Sequence, residues 1–159
     1  MNEHLIVTVP NPQLFKVTQK VTLFDNALEN QTKLMRKFLR QNDGIGLAAN
    51  QLGFENQICI VEYKDSKDSQ NAIPFQIFIN PKIVQKSAET EIMDEGCLSV
   101  PQIELPVERA AKIKITPGRG KGKEKGFEGH LPGPKQSGLV TSKYKNLVLS
   151  VVSALNLRG

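Results

Sequence analysis

The eighteen residues 117–134 (PGRGKGKEKGFEGHLPGP) limit this chain more than any others, because six are glycine and three are proline. Glycine loses the most backbone entropy on ordering, and proline donates no amide hydrogen. Neither a helix nor a central strand is therefore expected there. The stretch reads as a flexible loop. It divides the 159-residue chain into a core-forming part, residues 1–116, and a divergent tail rich in glycine and lysine, residues 117–159. With 39% hydrophobic residues the chain suits one globular domain, which needs no disulfide or metal merely to fold.

Regular elements are expected on the first side of that boundary. Phe24, Ala27, Leu28, Leu34, Met35, Phe38 and Leu39 recur with a helical period, which predicts a helix over 24–40 with Asp25 as its N-cap. Leu34, Met35 and Phe38 are expected in the core. Residues 57–63 (QICIVEY) and 75–80 (FQIFIN) are β-rich runs separated by a polar loop, 64–72. Residues 112–115 alternate lysine with isoleucine, as a half-buried strand would. Beyond the loop, residues 147–157 (LVLSVVSALNL) suit a strand or short packed helix, and an aggregation hazard if left exposed.

Charge divides the chain in nearly the same place. Residues 1–106 hold 10 Lys/Arg and 13 Asp/Glu, whereas residues 107–159 hold 11 and 3. A basic tail can attract nucleic acid, but here the lysines alternate with glycine rather than lining a helix face among aromatics. Specific nucleic-acid binding is not expected. The opening MNEHLIVTVPNP has neither a basic start nor a long apolar core, so it does not read as a signal peptide. No apolar run approaches roughly 18 residues, so no membrane span is expected and a cytoplasmic protein follows. Cys59 lies in an apolar run and Cys97 in an acidic loop. Sequence leaves their pairing open, although cytosolic thiols stay reduced.

Two strings carry chemistry. The first is Gly44-Ile45-Gly46-Leu47-Ala48-Ala49-Asn50-Gln51. Its paired glycines permit a tight turn and close approach of a ligand to the backbone, and Gln51 both donates and accepts hydrogen bonds. A dinucleotide loop is a poor match, since no strand precedes it and a third glycine is missing. The second is Glu95-Gly96-Cys97-Leu98-Ser99-Val100-Pro101. A cysteine acts as ligand or nucleophile only as the thiolate, which Asp94 and Glu95 disfavour. A metal would deprotonate it outright; without one, Cys97 reads as structural.

Together, in this order, the two strings resemble peptide deformylases. The resemblance runs from Val7 to about Ile115 and includes VTVPNPQLFKV, FINPKIVQKS and VERAAKIKI. It implies an α+β fold with an N-terminal helix plus mixed or antiparallel sheets. It also implies a metal-assisted hydrolysis that removes formyl from the N-terminal methionine of new polypeptides. On that resemblance Cys97 is a ligand of iron or zinc. Gln51 and the backbone N–H of Leu98 polarise the formyl oxygen. Gly44, Ile45 and Gly46 bind the substrate, with Gly46 pairing to its backbone, and Glu95 and Arg109 form a supporting ion pair. The implied partners are a formyl-methionyl peptide and the ribosome.

The resemblance then breaks. Its remaining two ligands and general base belong to a His-Glu-x-x-His motif on a helix, which places both histidines on one face. This sequence has two histidines, His4 and His130, and they are not four apart. The metal-binding helix is therefore expected to be lost or replaced, with no cofactor held. Read two bases later, the codons for His130-Leu131-Pro132-Gly133-Pro134 permit Phe-Ala-Arg-Ala, which resembles what precedes the family's histidine motif. A frameshift after Gly129 is the expectation. Three readings follow: a degenerate, inactive deformylase-like protein; an active hydrolase with an unorthodox site of Cys97, His130 and Glu128; and a non-catalytic peptide- or ribosome-binding protein. The first is favoured, because a glycine-proline loop cannot hold ligands as a helix does.

Overall fold

The structure, a computed structural model, describes residues 6–63, 72–116, 121–122 and 139–140. His4, His130, Glu128 and residues 147–157 lie outside them.

After a 3-10 turn at Pro12–Phe15, the short strand β1 (Leu23–Phe24) leads into the helix α1 (Asn26–Gln41). Asp25 caps it as expected, its Oδ1 accepting the Leu28 N–H at 2.9 Å and so satisfying one of the helix's orphan donors. Leu28, Thr32, Met35 and Leu39 are buried, spaced by three and four residues along one face. Leu34 and Phe38 are only half-buried. Phe24 falls on the strand before the cap rather than on the helix.

Strands β2 (Gly46–Ala48), β3 (Ile58–Tyr63) and β4 (Ile73–Ile79) form an antiparallel sheet in the order β2-β3-β4. It is covered on both faces. Ile58 and Ile60 of β3 pack with Met35, Leu39, Ile77 and Ile79 in one apolar cluster. Cys59 and Val61 point the other way and pack with Ala48, Phe78, Ile113 and Ile115. That is why β3 reads as a continuous apolar run rather than an alternating one. Each such side chain contributes about 2 kcal/mol by leaving water.

The second cluster is closed by a sheet in the order β10-β8-β5. It comprises β5 (Lys82–Lys86), β8 (Ile113–Thr116) and β10 (Leu139–Val140). Ile113 and Ile115 face inward while Lys112 is exposed, as the lysine-isoleucine alternation predicts. A long hairpin, β6 (Thr90–Cys97) and β7 (Val100–Ala110), stands as its own two-stranded sheet. The glycine-rich stretch does supply a strand. Two residues, β9 (Lys121–Gly122), pair in parallel with β1 at a sheet edge, where backbone alone suffices. Among the described residues no helix is long and apolar enough to cross a membrane. Cys59 and Cys97 are both free thiols, one buried and one exposed, and burial pushes the Cys59 thiol's pKa up.

Candidate active site

The chain leaves α1 through a turn that delivers the first motif directly to a sheet edge. Asn42 N–H donates to Phe38 O (3.2 Å) and Gly44 N–H to Leu39 O (3.0 Å), closing the helix. Gly44 has a steric reason. A Cβ there would lie 2.9 Å from Leu39 Cδ1 and 2.9 Å from Leu98 Cδ1, so the missing side chain lets the second motif pack against the first.

Strand β2 is the outer strand of its sheet. Glu62 N–H donates to Ile45 O at 3.0 Å, and Gly46 lies opposite Val61. In an antiparallel ladder, hydrogen-bonded and non-hydrogen-bonded pairs alternate. The N–H and C=O of Gly46 therefore point away from β3, onto an edge that no other strand pairs among the described residues. The same alternation turns the Ala48 N–H outward, where Gln51 Oε1 accepts it at 2.9 Å.

That bond orients the Gln51 amide. A 3-10 turn, Ala49–Leu52, brings the side chain back beneath β2, and its burial is nearly complete. Gln51 Nε2 then donates to Ser99 Oγ (3.0 Å) and toward Cys97 Sγ (3.7 Å). Two residues 46 apart in sequence thus meet across the two motifs. The N-terminal segment ties them further: Val7 N–H donates to Gln51 O (2.7 Å) and Val9 N–H to Ser99 O (3.0 Å).

Cys97 ends β6 and pairs with Val100, leaving Leu98 and Ser99 as the turn. The register then shifts, and residues 101–103 bulge out before Gly96 pairs with Glu104. Glu95 is held by Arg109 across the hairpin, which donates from Nε to Oε1 (2.9 Å) and from a terminal nitrogen to Oε2 (2.8 Å). Both side chains are largely buried, and the bond raises the Arg109 pKa above its ordinary value.

All six residues singled out from the sequence, Gly44, Ile45, Gly46, Gln51, Cys97 and Leu98, line one cleft of about 870 Å³. Asp94, Gly96 and residues 100–104 line it as well, while β8 packs behind the β2-β3-β4 sheet. Ser99, the hydroxyl that holds the Gln51 amide, escaped the sequence reading. Its signal in the sequence was a lone hydroxyl between the apolar Leu98 and Val100 of the second motif.

Residues 4–130 match the profile of a family described as polypeptide deformylase. A peptide deformylase of Chromobacterium violaceum is 36% identical over 110 residues, 69% of this chain and 62% of that protein. One of Rhizobium meliloti is 32% identical over 123 residues, 77% of this chain and 69% of that protein. Against the first of these, the chain spans less than two thirds of the relative's length. Among solved structures, a probable peptide deformylase of Synechococcus phage S-SSM7 superposes with a TM-score of 0.77 at 27% identity, covering 96% of this chain and 94% of that one. A Plasmodium falciparum peptide deformylase complexed with inhibitor gives 0.74 at 28%, covering 96% and 83%.

Proposed function

The chain belongs to the polypeptide deformylase family, and we propose that it keeps a formyl-methionyl peptide groove while lacking the groups needed to turn the peptide over. The observation that carries this reading is the Gln51 amide, buried and aimed at Cys97 inside a cleft whose β2 edge is open.

The chain's own residues would act as follows. An extended peptide adds to the free edge of β2, pairing with the N–H and C=O of Gly46. Gly44 and Ile45 shape the wall beside it. Gln51 Nε2 and the backbone N–H of Leu98 face the formyl oxygen and polarise it. Arg109 neutralises Glu95 and steadies the strand that presents Cys97. The peptide's source would be a nascent chain at the ribosome, in the cytoplasm.

The iron or zinc that the family implies does not fit these residues. Three protein ligands are wanted, and an exposed Cys97 supplies one. Its nearby donor is a glutamine amide N–H, which cannot ligate, and Glu95 is committed to Arg109. The two histidines of the sequence cannot form a His-Glu-x-x-His pair, so the general base is missing with them. The family match ends at residue 130, one position beyond Gly129, which supports a frameshift as the cause of the loss.

The test is direct. Purified protein is dialysed, assayed for iron, zinc and nickel, then titrated with formyl-Met-Ala-Ser with and without each metal. Peptide binding without hydrolysis, and metal well below stoichiometric, is expected. Stoichiometric metal that disappears in Cys97→Ser, or turnover on adding metal, would overturn the inactive reading.

A further inference from the structure

We propose that Arg36, Glu62 and Arg40 act as a positioning clamp that sets the height of strand β2, and with it the peptide-pairing edge of the groove. The proposal rests on the peptide-groove reading above.

Glu62 is a charged residue at the end of the otherwise apolar β3, and only 7% of its surface is exposed. Two guanidinium groups from α1 grip its carboxylate. Arg36 donates to Oε1 at 2.7 Å and from Nε to Oε2 at 3.2 Å. Arg40 donates to Oε1 at 2.8 Å and from Nε to Oε2 at 2.7 Å. Arg36 also lies 4.0 Å over the Phe75 ring of β4. Four charge-assisted bonds in two planar forks fix direction as well as distance, which apolar contacts at the same place would not.

The clamp reaches the site in one step. The Glu62 N–H holds Ile45 O, and Ile45 immediately precedes the open Gly46. Three routes tie β2 to α1: the covalent turn 42–44, the packing of Leu47 in one apolar cluster with Met35 and Leu39, and the side chain and amide of Glu62, the last reaching Ile45, next to Gly46, by a directional bond. A cavity of about 390 Å³, lined by Leu39, Arg40, Asp43, Gly44, Glu62 and Tyr63, lies behind the turn and leaves space for it to move. Arg36 and Arg40, one helical turn apart, would repel each other without the shared carboxylate.

The experiment compares Arg40→Gln and Arg36→Gln with Arg40→Lys and with Ile77→Val, a core change outside the clamp and groove that serves as a stability control. Two quantities are read: the dissociation constant for formyl-Met-Ala-Ser, and native-state amide exchange at Glu62 relative to Cys59, whose N–H faces β4 rather than β2. Arg40→Gln should weaken the peptide about tenfold and speed exchange at Glu62 selectively, with Arg40→Lys recovering part of both. Ile77→Val should lower stability and leave affinity and the Glu62-to-Cys59 exchange ratio unchanged. If the glutamine variants merely follow their stability loss, with exchange rising evenly along β3, the clamp is refuted. Should wild-type protein bind no formyl peptide, the groove reading fails. The exchange ratio then decides the clamp alone: selective loss at Glu62 sustains it as a device that fixes β2, and even loss rejects it.

Discussion

Strand β3 and the β6–β7 hairpin both supply apolar residues to an antiparallel sheet, yet one is buried throughout and the other stands in water. Five of the six residues of β3 are buried, because an apolar cluster covers each face of its sheet. The hairpin is two-stranded, and Ile92 (69%), Leu105 (59%), Ile103 (49%) and Met93 (42%) remain exposed. Its cleft end is secured by Leu98 against Gly44, by Ser99 under Gln51, and by the Glu95–Arg109 fork. Gln51 thus stands on the well-supported half of the site and Cys97 on the weakly supported half. Apolar character buries a residue only where a second layer exists to meet it. The half of the cleft built on β2 rests on a core that covers both faces of its sheet, while the half bearing the thiol depends on few anchors.

The largest test of this contrast is Ile60→Ala. Ile60 is fully buried at the centre of β3, so urea unfolding should show a loss of about 3–4 kcal/mol. A loss below about 1 kcal/mol would mean that the sheet is no better supported than the hairpin.

Acid should release the Glu62 clamp next. Burial alone would raise this carboxyl's pKa, but hydrogen bonds from Arg40 and Arg36 outweigh it and hold the pKa at about 2, below the ordinary 4.5. A depressed carboxylate contributes stability above its unfolded pKa and loses it as pH falls from 4.5 toward 2. The contribution is about 2 kcal/mol, below the full linkage value because Arg40 is half-exposed to screening solvent. Stability profiles of wild type and Glu62→Gln should therefore converge in acid. Parallel curves from about pH 6 down to about pH 3 would remove the charge from the account.

Gly44→Ala probes the seam between the two halves. The added methyl must displace the tips of Leu39 and Leu98, which should cost about 1–2 kcal/mol and weaken formyl-peptide binding with it. Unchanged stability would show that the motifs touch without depending on each other. The smallest effect is expected on the hairpin. Ile92→Thr should alter stability by under about 0.5 kcal/mol while lowering self-association in light scattering. A larger loss would mean that another part of the chain covers this surface.

Much of the first half was legible in the residues. Asp25 before a 3.6-period apolar run marks the start of α1, and the β-rich runs mark β3 and β4. Half-burial of β8 follows from lysine alternating with isoleucine. The meeting of Gln51 with Cys97 was reached by resemblance, since nothing in their local spacing requires it. The Glu62 clamp was not read at all. Its signs were a lone glutamate ending an apolar strand and two arginines four apart on a helix, each of which also suits a solvated surface. Alternation likewise shows that β8 buries one face, but not against what.

Local spacing was enough to set most elements of the first half, and a count of two histidines was enough to show that these 159 residues hold no His-Glu-x-x-His string. Both rest on short-range stereochemistry or on composition, which no folding can alter. The free edge at Gly46, the amide of Gln51 turned onto Cys97, the shared carboxylate of Glu62 and the uncovered hairpin were decided in three dimensions. Each depends on which surfaces meet across tens of residues. Many pairings satisfy the same pattern of apolar and polar positions, and only simultaneous packing and hydrogen bonding select among them.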